Sequence, residues 1–194
     1  MTRNLLTIQF TNNGLIILNK RKLYVFELNS VNNHQVINKE KFIDEVNHLL
    51  EDNKINNSIL TDNINIIIDS SYTDLYLSSL KDIFKDLSFN KITFTNIIDI
   101  LKPQGNEIII EISNNSIKMF YKDTLIYNNI YYSKHKQAIG IYINNVKKTN
   151  DIKSIKLYGT YKITPKFIED IEKITKTHTY IYSNPELIPI KLLI

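Results

Sequence analysis

Cysteine and tryptophan are absent from this 194-residue sequence, alanine occurs once (Ala138), arginine twice (Arg3 and Arg21), and glycine and proline four times each. Without cysteine there is no disulfide, no thiolate nucleophile and no Cys-based zinc or iron–sulfur centre, so a stapled secreted scaffold is excluded. The four histidines, His34, His48, His135 and His178, are scattered, and no metal site is expected. Gly14, Gly105, Gly140 and Gly159 lie too far apart to make a Walker loop or a dinucleotide fingerprint. No apolar run approaches the roughly 18 residues that cross a bilayer as a helix. Met1-Thr2-Arg3-Asn4-Leu5-Leu6-Thr7 runs straight into a strand-like pattern, without the apolar core and small-residue cleavage site of a signal peptide. The expectation is a soluble, cytoplasmic protein with no membrane span.

What the chain does hold is apolar mass: 43% of its residues are hydrophobic and 23% charged. That suffices for one domain or two half-size lobes and excludes a solvated disordered polymer. The basic side chains are 22 Lys and two Arg, giving a formal net charge of +4, a diffuse excess and not a basic stripe. The 36 Ile and 25 Asn form a bias more simply explained by an A/T-rich coding sequence than by function.

Leu5–Phe10, Leu15–Leu18 and Lys22–Leu28 read as three strands, broken by the hairpin signals Asn12-Asn13-Gly14 and Asn19-Lys20-Arg21. From Lys39 to Asp52 the residues Phe42, Val46, Leu49 and Leu50 recur at helical spacing. A strand at Ile64–Asp69, a helix at about Thr73–Leu87 and a strand at Lys91–Phe94 complete the order βββαβαβ. Leu77, Leu80, Ile83, Phe84 and Leu87 form the apolar face of that helix. After a linker with Pro103 and Gly105 the order restarts, with strands at Glu107–Ile112, Ile117–Tyr121 and Leu125–Tyr132. A helix at about Lys134–Lys148 presents Ala138, Ile139, Tyr142, Ile143 and Val146. A strand at Ser154–Tyr158, a helix opened by Thr164-Pro165 and a strand at Thr179–Tyr182 follow.

The letters repeat too. Ile8–Gly14 lies over Ile110–Ser116 at an offset of 102, while Asp82–Lys85 lies over Asp170–Lys173 and Ile92–Phe94 over Tyr180–Tyr182 at an offset of 88. Two lobes produced by internal duplication are expected, 1–100 and 101–194. The apolar Pro185–Ile194, with two prolines, reads as a last strand or a docking tail and not as a membrane-lying helix.

Two RNase H-like βββαβαβ lobes, an α/β architecture, resemble the actin-like ATPase (ASKHA) superfamily of actin, the Hsp70 ATPase domain, the sugar kinases, MreB and FtsA. Ile64-Asn65-Ile66-Ile67-Ile68-Asp69 through Asn106-Glu107-Ile108-Ile109-Ile110-Glu111-Ile112 is similar to the actin-related run of strand, helix, strand, short helical segment and second phosphate hairpin. Ile155–Phe167 resembles the adenosine turn and the helix after it. The resemblance implies ATP and a divalent ion between the lobes, with phosphates held by the first hairpin turn of each lobe. Too few residues separate the elements for the large inserted subdomains of actin, so bare core lobes are expected.

In that family a carboxylate ending the first strand of each lobe orients the metal, while glycines and a hydroxyl admit backbone N–H groups to the phosphates. Gln9 stands here at the first carboxylate position, followed by Thr11 and Asn12. Glu111 keeps an acid at the second, followed by Ser113-Asn114-Asn115 before Ser116, and the family's Gly-Gly turn is Tyr158-Gly159. A neutral amide lacks the charge of a metal-orienting carboxylate, and a Cβ costs about 1–2 kcal/mol where left-handed geometry is required. The resemblance then implies a chain that is no longer an enzyme: no catalytic residue, no metal and no cofactor, with a vestigial nucleotide cleft at Glu111, Ser113, Ser116 and Gly159.

Asp62 and Asp69-Ser70-Ser71 make an acid–hydroxyl cluster on paper, but a strand ending this way before a helix reads as a helix cap. Tyr121, Tyr127, Tyr131 and Tyr132 near Lys118, Lys122, Lys134 and Lys136 suit base stacking and phosphate contact. Their strand alternation and the scarcity of arginine argue instead for core positions and against nucleic acid. Three functions follow in order. The first is a non-catalytic, pseudo-ATPase scaffolding subunit of a cytoskeletal kind, binding protein partners in a larger assembly. The second is a nucleotide-binding switch that keeps ATP and Mg, and the third a basic RNA- or ribosome-associated protein.

Overall fold

In a computed structural model, which describes residues 6–55, 63–69, 72–101, 105–112, 116–122, 124–130, 136–159, 165–181, 190 and 193, the N-terminal Leu- and Ile-rich runs form an antiparallel meander. Its strands are β1 (Leu6–Thr11), β2 (Gly14–Asn19) and β3 (Lys22–Glu27). Lys20 and Arg21 join β2 to β3 with φ of 49° and 66°, the mirror-image turn whose twist suits a two-residue hairpin. Gly14 has no positive φ. It opens β2, and a Cβ there would stand 1.9 Å from the carbonyl oxygen of Phe26 on β3. The Asn-Gly pair thus marks the hairpin through the close approach of a third strand and not through turn conformation.

A short hairpin, β4 (Val31–Asn32) and β5 (Gln35–Val36), comes next and turns on Asn33 and His34 with φ of 49° and 64°. Two residues per strand are too few for alternation to announce it. The first unit continues with α1 (Lys39–Asp52), β6 (Asn63–Ile68), α2 (Asp74–Asp86), β7 (Lys91–Asn96) and α3 (Ile97–Leu101). Its sheet order is β3-β2-β1-β6-β7, with β1, β6 and β7 parallel. Leu6, Ile8, Phe10, Ile64, Ile66 and Ile68 cluster with Phe42, Val46 and Leu50 of α1 and with Leu80, Ile83 and Phe84 of α2. Each such side chain contributes roughly 1.5–3 kcal/mol by leaving water.

Asn38 caps α1 by accepting the Lys41 N–H, and Thr73 caps α2 by accepting the Tyr76 N–H. The expectation that Asp69-Ser70-Ser71 supplies the α2 cap is therefore corrected to Thr73; Asp62, Ser70 and Ser71 lie outside the described residues. Both helices close alike. Lys54 N–H donates to Glu51 and Ile55 N–H to Leu50, while Ser88 N–H donates to Lys85 and Phe89 N–H to Phe84. This double C-terminal bond needs a left-handed residue, held by Lys54 at φ 52° and by Ser88 at φ 67°, where glycine is preferred. Ser88→Gly is expected to stabilise the protein by about 1 kcal/mol, read as a higher urea midpoint at unchanged slope.

The second unit contains β8 (Glu107–Ile112), β9 (Ser116–Tyr121), β10 (Thr124–Ile130), α4 (Lys136–Thr149), β11 (Ser154–Gly159), α5 (Pro165–Thr175) and β12 (His178–Ile181). Its order, β10-β9-β8-β11-β12, repeats that of the first sheet with the same parallel and antiparallel senses. Ile139 and Ile143 of α4 join Phe167 and Ile171 of α5 in its core. Ala138, expected on the same face, is exposed. Gly140 instead meets α5, where a Cβ would lie 2.4 Å from Ile174 Cγ2. Asn144 donates to the Ile174 carbonyl, and Lys147 Nζ donates to the Thr175 carbonyl, so α4 satisfies the C-terminal end of α5.

The chain divides into Met1–Ile100 with Pro189–Ile194, and Leu101–Ile188. A division at 100/101 accounts for both units except the last six residues, which the sequence assigned to the second lobe and the structure places with the first.

Candidate functional site

In open α/β sheets, ligands gather beyond the carboxyl ends of parallel strands, and the residues singled out by sequence stand there in each unit. Gln9, near the end of β1, pairs with Ile16 of β2 and Ile67 of β6. Glu111, near the end of β8, pairs with Lys118 of β9 and Tyr158 of β11. In both units these partners are the third residue of the second strand and the fifth of the parallel neighbour. Gln9 and Glu111 are therefore register equivalents, as the 102-residue offset implies. For the last strand the offset of 88 does not hold: Ile64 pairs with Ile92 and Ile155 with Thr179, so Ile92 corresponds to Thr179, at an offset of 87. A slip of one residue exchanges the faces of a strand.

Both equivalents are buried, Gln9 at 2% exposure and Glu111 at 4%. Since Ile8 and Phe10 point into the helix-covered core, Gln9 points to the opposite face of the first sheet. There its Oε1 accepts the backbone N–H of Ile190 at 3.1 Å. Ile190 is wholly buried, 0% exposed, and Leu193 N–H turns back onto its carbonyl at 3.2 Å. The sequence assigned no partner to Gln9; its only clue was the apolar C-terminal stretch, recognisable as a docking tail but not as a partner for β1. On the same face Asn65 Oδ1 accepts the hydroxyls of Thr93 (3.2 Å) and Thr95 (2.9 Å).

Around the end of β1, the β4–β5 hairpin forms a brace. His34 Nδ1 lies 3.1 Å from the Phe10 carbonyl oxygen and so carries the proton of that bond. The Tyr72 hydroxyl donates to the His34 carbonyl, and the Tyr76 oxygen accepts the Val36 N–H at 2.8 Å. Burial pushes the Tyr76 phenol up to about 12. Behind it, Glu45 of α1 accepts the Ser30 hydroxyl and the amides of Asn29 and Ser30. Burial raises the Glu45 carboxyl, but these donors and Lys41 outweigh it and hold the group below its usual range.

In the second unit Glu111, Ser116 and Gly159 lie at one end of the sheet, because Gly159 pairs with Ile112 and Ser116 begins β9. Ser113 lies outside the described residues. Lys118 stands across from Glu111, an opposite-charge pair within the sheet. On the same face Lys156 Nζ meets Glu107 Oε2 at 2.7 Å, and the Ser154 hydroxyl donates to Glu107 at 3.1 Å. Tyr121 and Tyr127 pack against the second core, with the Tyr127 ring 5.0 Å from that of Tyr142, as strand alternation implies. Among the described residues, no group of three or more acidic or histidine side chains is arranged to hold a metal ion. Among them too, no helix is long and apolar enough to cross a membrane.

Solved structures match this arrangement closely along its length. MreB5 of Spiroplasma citri bound to AMPPNP matches with a TM-score of 0.65 at 10% identity, over 100% of this chain and 95% of that one. This is the actin-like ATPase fold. The same actin-like match extends to the ethanolamine utilization protein EutJ from Carboxydothermus hydrogenoformans (TM-score 0.61, 9% identity, 96% of this chain and 88% of that one). It extends also to the MamK double helical filament, at a TM-score of 0.62 and 8% identity over 97% of both chains. No protein-family model and no curated protein matches the sequence. The actin-like lobes expected from sequence are thus the fold of the chain, without large insertions.

Proposed function

We propose that this chain is a non-catalytic actin-like subunit that works through protein–protein contacts in a cytoskeletal kind of assembly. The observation that carries this reading is Gln9. It holds the register position that Glu111 holds in the second unit, it is neutral, and its oxygen is engaged by the chain's own Ile190 amide. A hydrated divalent ion needs anionic oxygen at that position. The amide supplies no charge, and an oxygen bonded to a backbone N–H has less left to offer. The first hairpin therefore does not fit a magnesium–nucleotide, and no chemical step is assigned to it. MamK, described as a double helical filament, supports assembly as a use to which this fold is put.

Glu111 favours a second reading, a nucleotide switch, because it keeps a buried carboxylate with Gly159 beside it in register. Thermal melting with millimolar Mg-ATP or Mg-ADP separates the two. A ligand at 100 times its dissociation constant adds about 2.7 kcal/mol, or roughly 5–10 °C for a chain of this size. A melting point unchanged within 1 °C is expected here (about 0.3–0.5 kcal/mol); a magnesium-dependent rise of several degrees would establish the switch instead.

A further inference from the structure

We propose that β3 pairs antiparallel with β3 of a second copy of this chain, Val25 against Val25, joining two first-unit sheets into one; this names a partner and a surface for the reading that the chain works through protein contacts, and rests on it. β3 ends its sheet, and among the described residues nothing pairs with its outer side. The Leu28 N–H, just past β3, donates to the Asn13 carbonyl at 2.8 Å, so the residues in step with Leu28, which are Phe26, Tyr24 and Lys22, turn their main-chain groups toward β2. Leu23, Val25 and Glu27 turn theirs outward. The register with β2 is unbroken from Lys22 to Glu27. β10, the matching edge of the second sheet, is interrupted between Leu125 and Tyr127, and such a bulge spoils an edge for pairing. β3 has no such interruption. Val25, in its middle, is 63% exposed although it stands across from the buried Ile16.

Charge selects the second copy and its direction. Lys20, Arg21 and Lys22 are exposed at the start of β3 and Glu27 at its end, where Glu45 also lies, accepting the amides of Asn29 and Ser30. Antiparallel pairing lays the basic end of each copy on the acidic end of the other, whereas parallel pairing sets like charge against like. Outward rows meet only when odd-numbered residues face odd-numbered ones. Centring the two-fold axis on Val25 engages all three outward residues of each copy: Leu23 faces the second copy's Glu27, and the two exposed valines cover one another. On the face that carries the helices, Tyr24 then meets the second copy's Phe26, and both are aromatic residues already packed at the rim of the core. A contact of this isologous kind closes on itself as a pair and does not grow into a filament. The edge is short, so the pair belongs with weak interfaces that depend on concentration.

Sedimentation equilibrium of the full-length protein is expected to show a mass that rises with concentration from one chain to two and stops there. Val25→Lys sets two like charges against each other at the axis and alters only an exposed side chain; it is expected to weaken the pair at least about tenfold. Arg21→Glu and Glu27→Lys are each expected to weaken it roughly two- to fivefold, and the double variant, which restores opposite charges across the axis, to recover it. Position is read by cross-linking. Val25→Cys provides the single thiol of a chain that has no other, and a short bis-maleimide is expected to join it to its counterpart, while Lys85→Cys on α2 stays unlinked. A mass of one chain up to about 1 millimolar overturns the proposal. So do growth beyond two chains, a pair that Val25→Lys leaves unchanged, and cross-linking at Lys85→Cys equal to that at Val25→Cys. None of these measurements involves nucleotide. A lone chain with melting unmoved by Mg-ATP removes this surface and keeps the non-catalytic reading, whereas a melting rise in a chain that pairs through β3 removes that reading and keeps the surface.

Discussion

Phe84→Ala is expected to cost the first unit about 3–5 kcal/mol, the largest effect of any single substitution considered. Phe84 is fully buried where three elements meet. Its ring lies edge-on to Phe42 of α1 at 5.9 Å and to Phe10 of β1 at 6.5 Å, and 6.0 Å from Phe89 beyond α2. Its carbonyl also accepts the Phe89 N–H that closes α2. Truncation removes the apolar area, leaves a cavity that neighbouring rings cannot collapse into, and loses edge-to-face contacts worth about 0.5–1.5 kcal/mol each. Chemical unfolding monitored by amides of the first unit provides the measurement. A loss below about 1 kcal/mol would show that the cluster is loosely packed.

Gly14→Ala is expected to cost about 3 kcal/mol, the upper end of overpacking penalties. A new Cβ would meet the Phe26 carbonyl oxygen at 1.9 Å and its carbon at 2.9 Å. These are backbone atoms of β3 in the register Gly14↔Glu27, so neither can rotate away. The strain should fall on the β2–β3 pairing, and faster amide exchange along Lys22–Glu27 than along β6 would locate it there. Gly140→Ala makes the contrast. Its obstruction is the Ile174 side chain, and alanine gains about 1 kcal/mol of helix propensity over glycine, so a smaller net loss is expected.

The sequence by itself determined the βββαβαβ order common to both lobes, though not the β4–β5 hairpin or α3, because each of the signals for that order is local. Phe42, Val46 and Leu50 mark α1 by spacing, and Thr164-Pro165 marks the start of α5 through the fixed φ of proline. The equivalence of Gln9 and Glu111 was legible in the letters, since strands of equal length preserve register from hairpin to hairpin. Tertiary structure alone decided the rest. The reason for Gly14 lies in β3, the reason for Gly140 lies in α5, and the partner of Gln9 lies 181 residues away. The assignment of Pro189–Ile194 to the first unit is of the same kind. Periodicity records which side of an element is apolar, but not which distant segment comes to cover it; that choice is made only when the chain closes on itself and every buried N–H must find an acceptor.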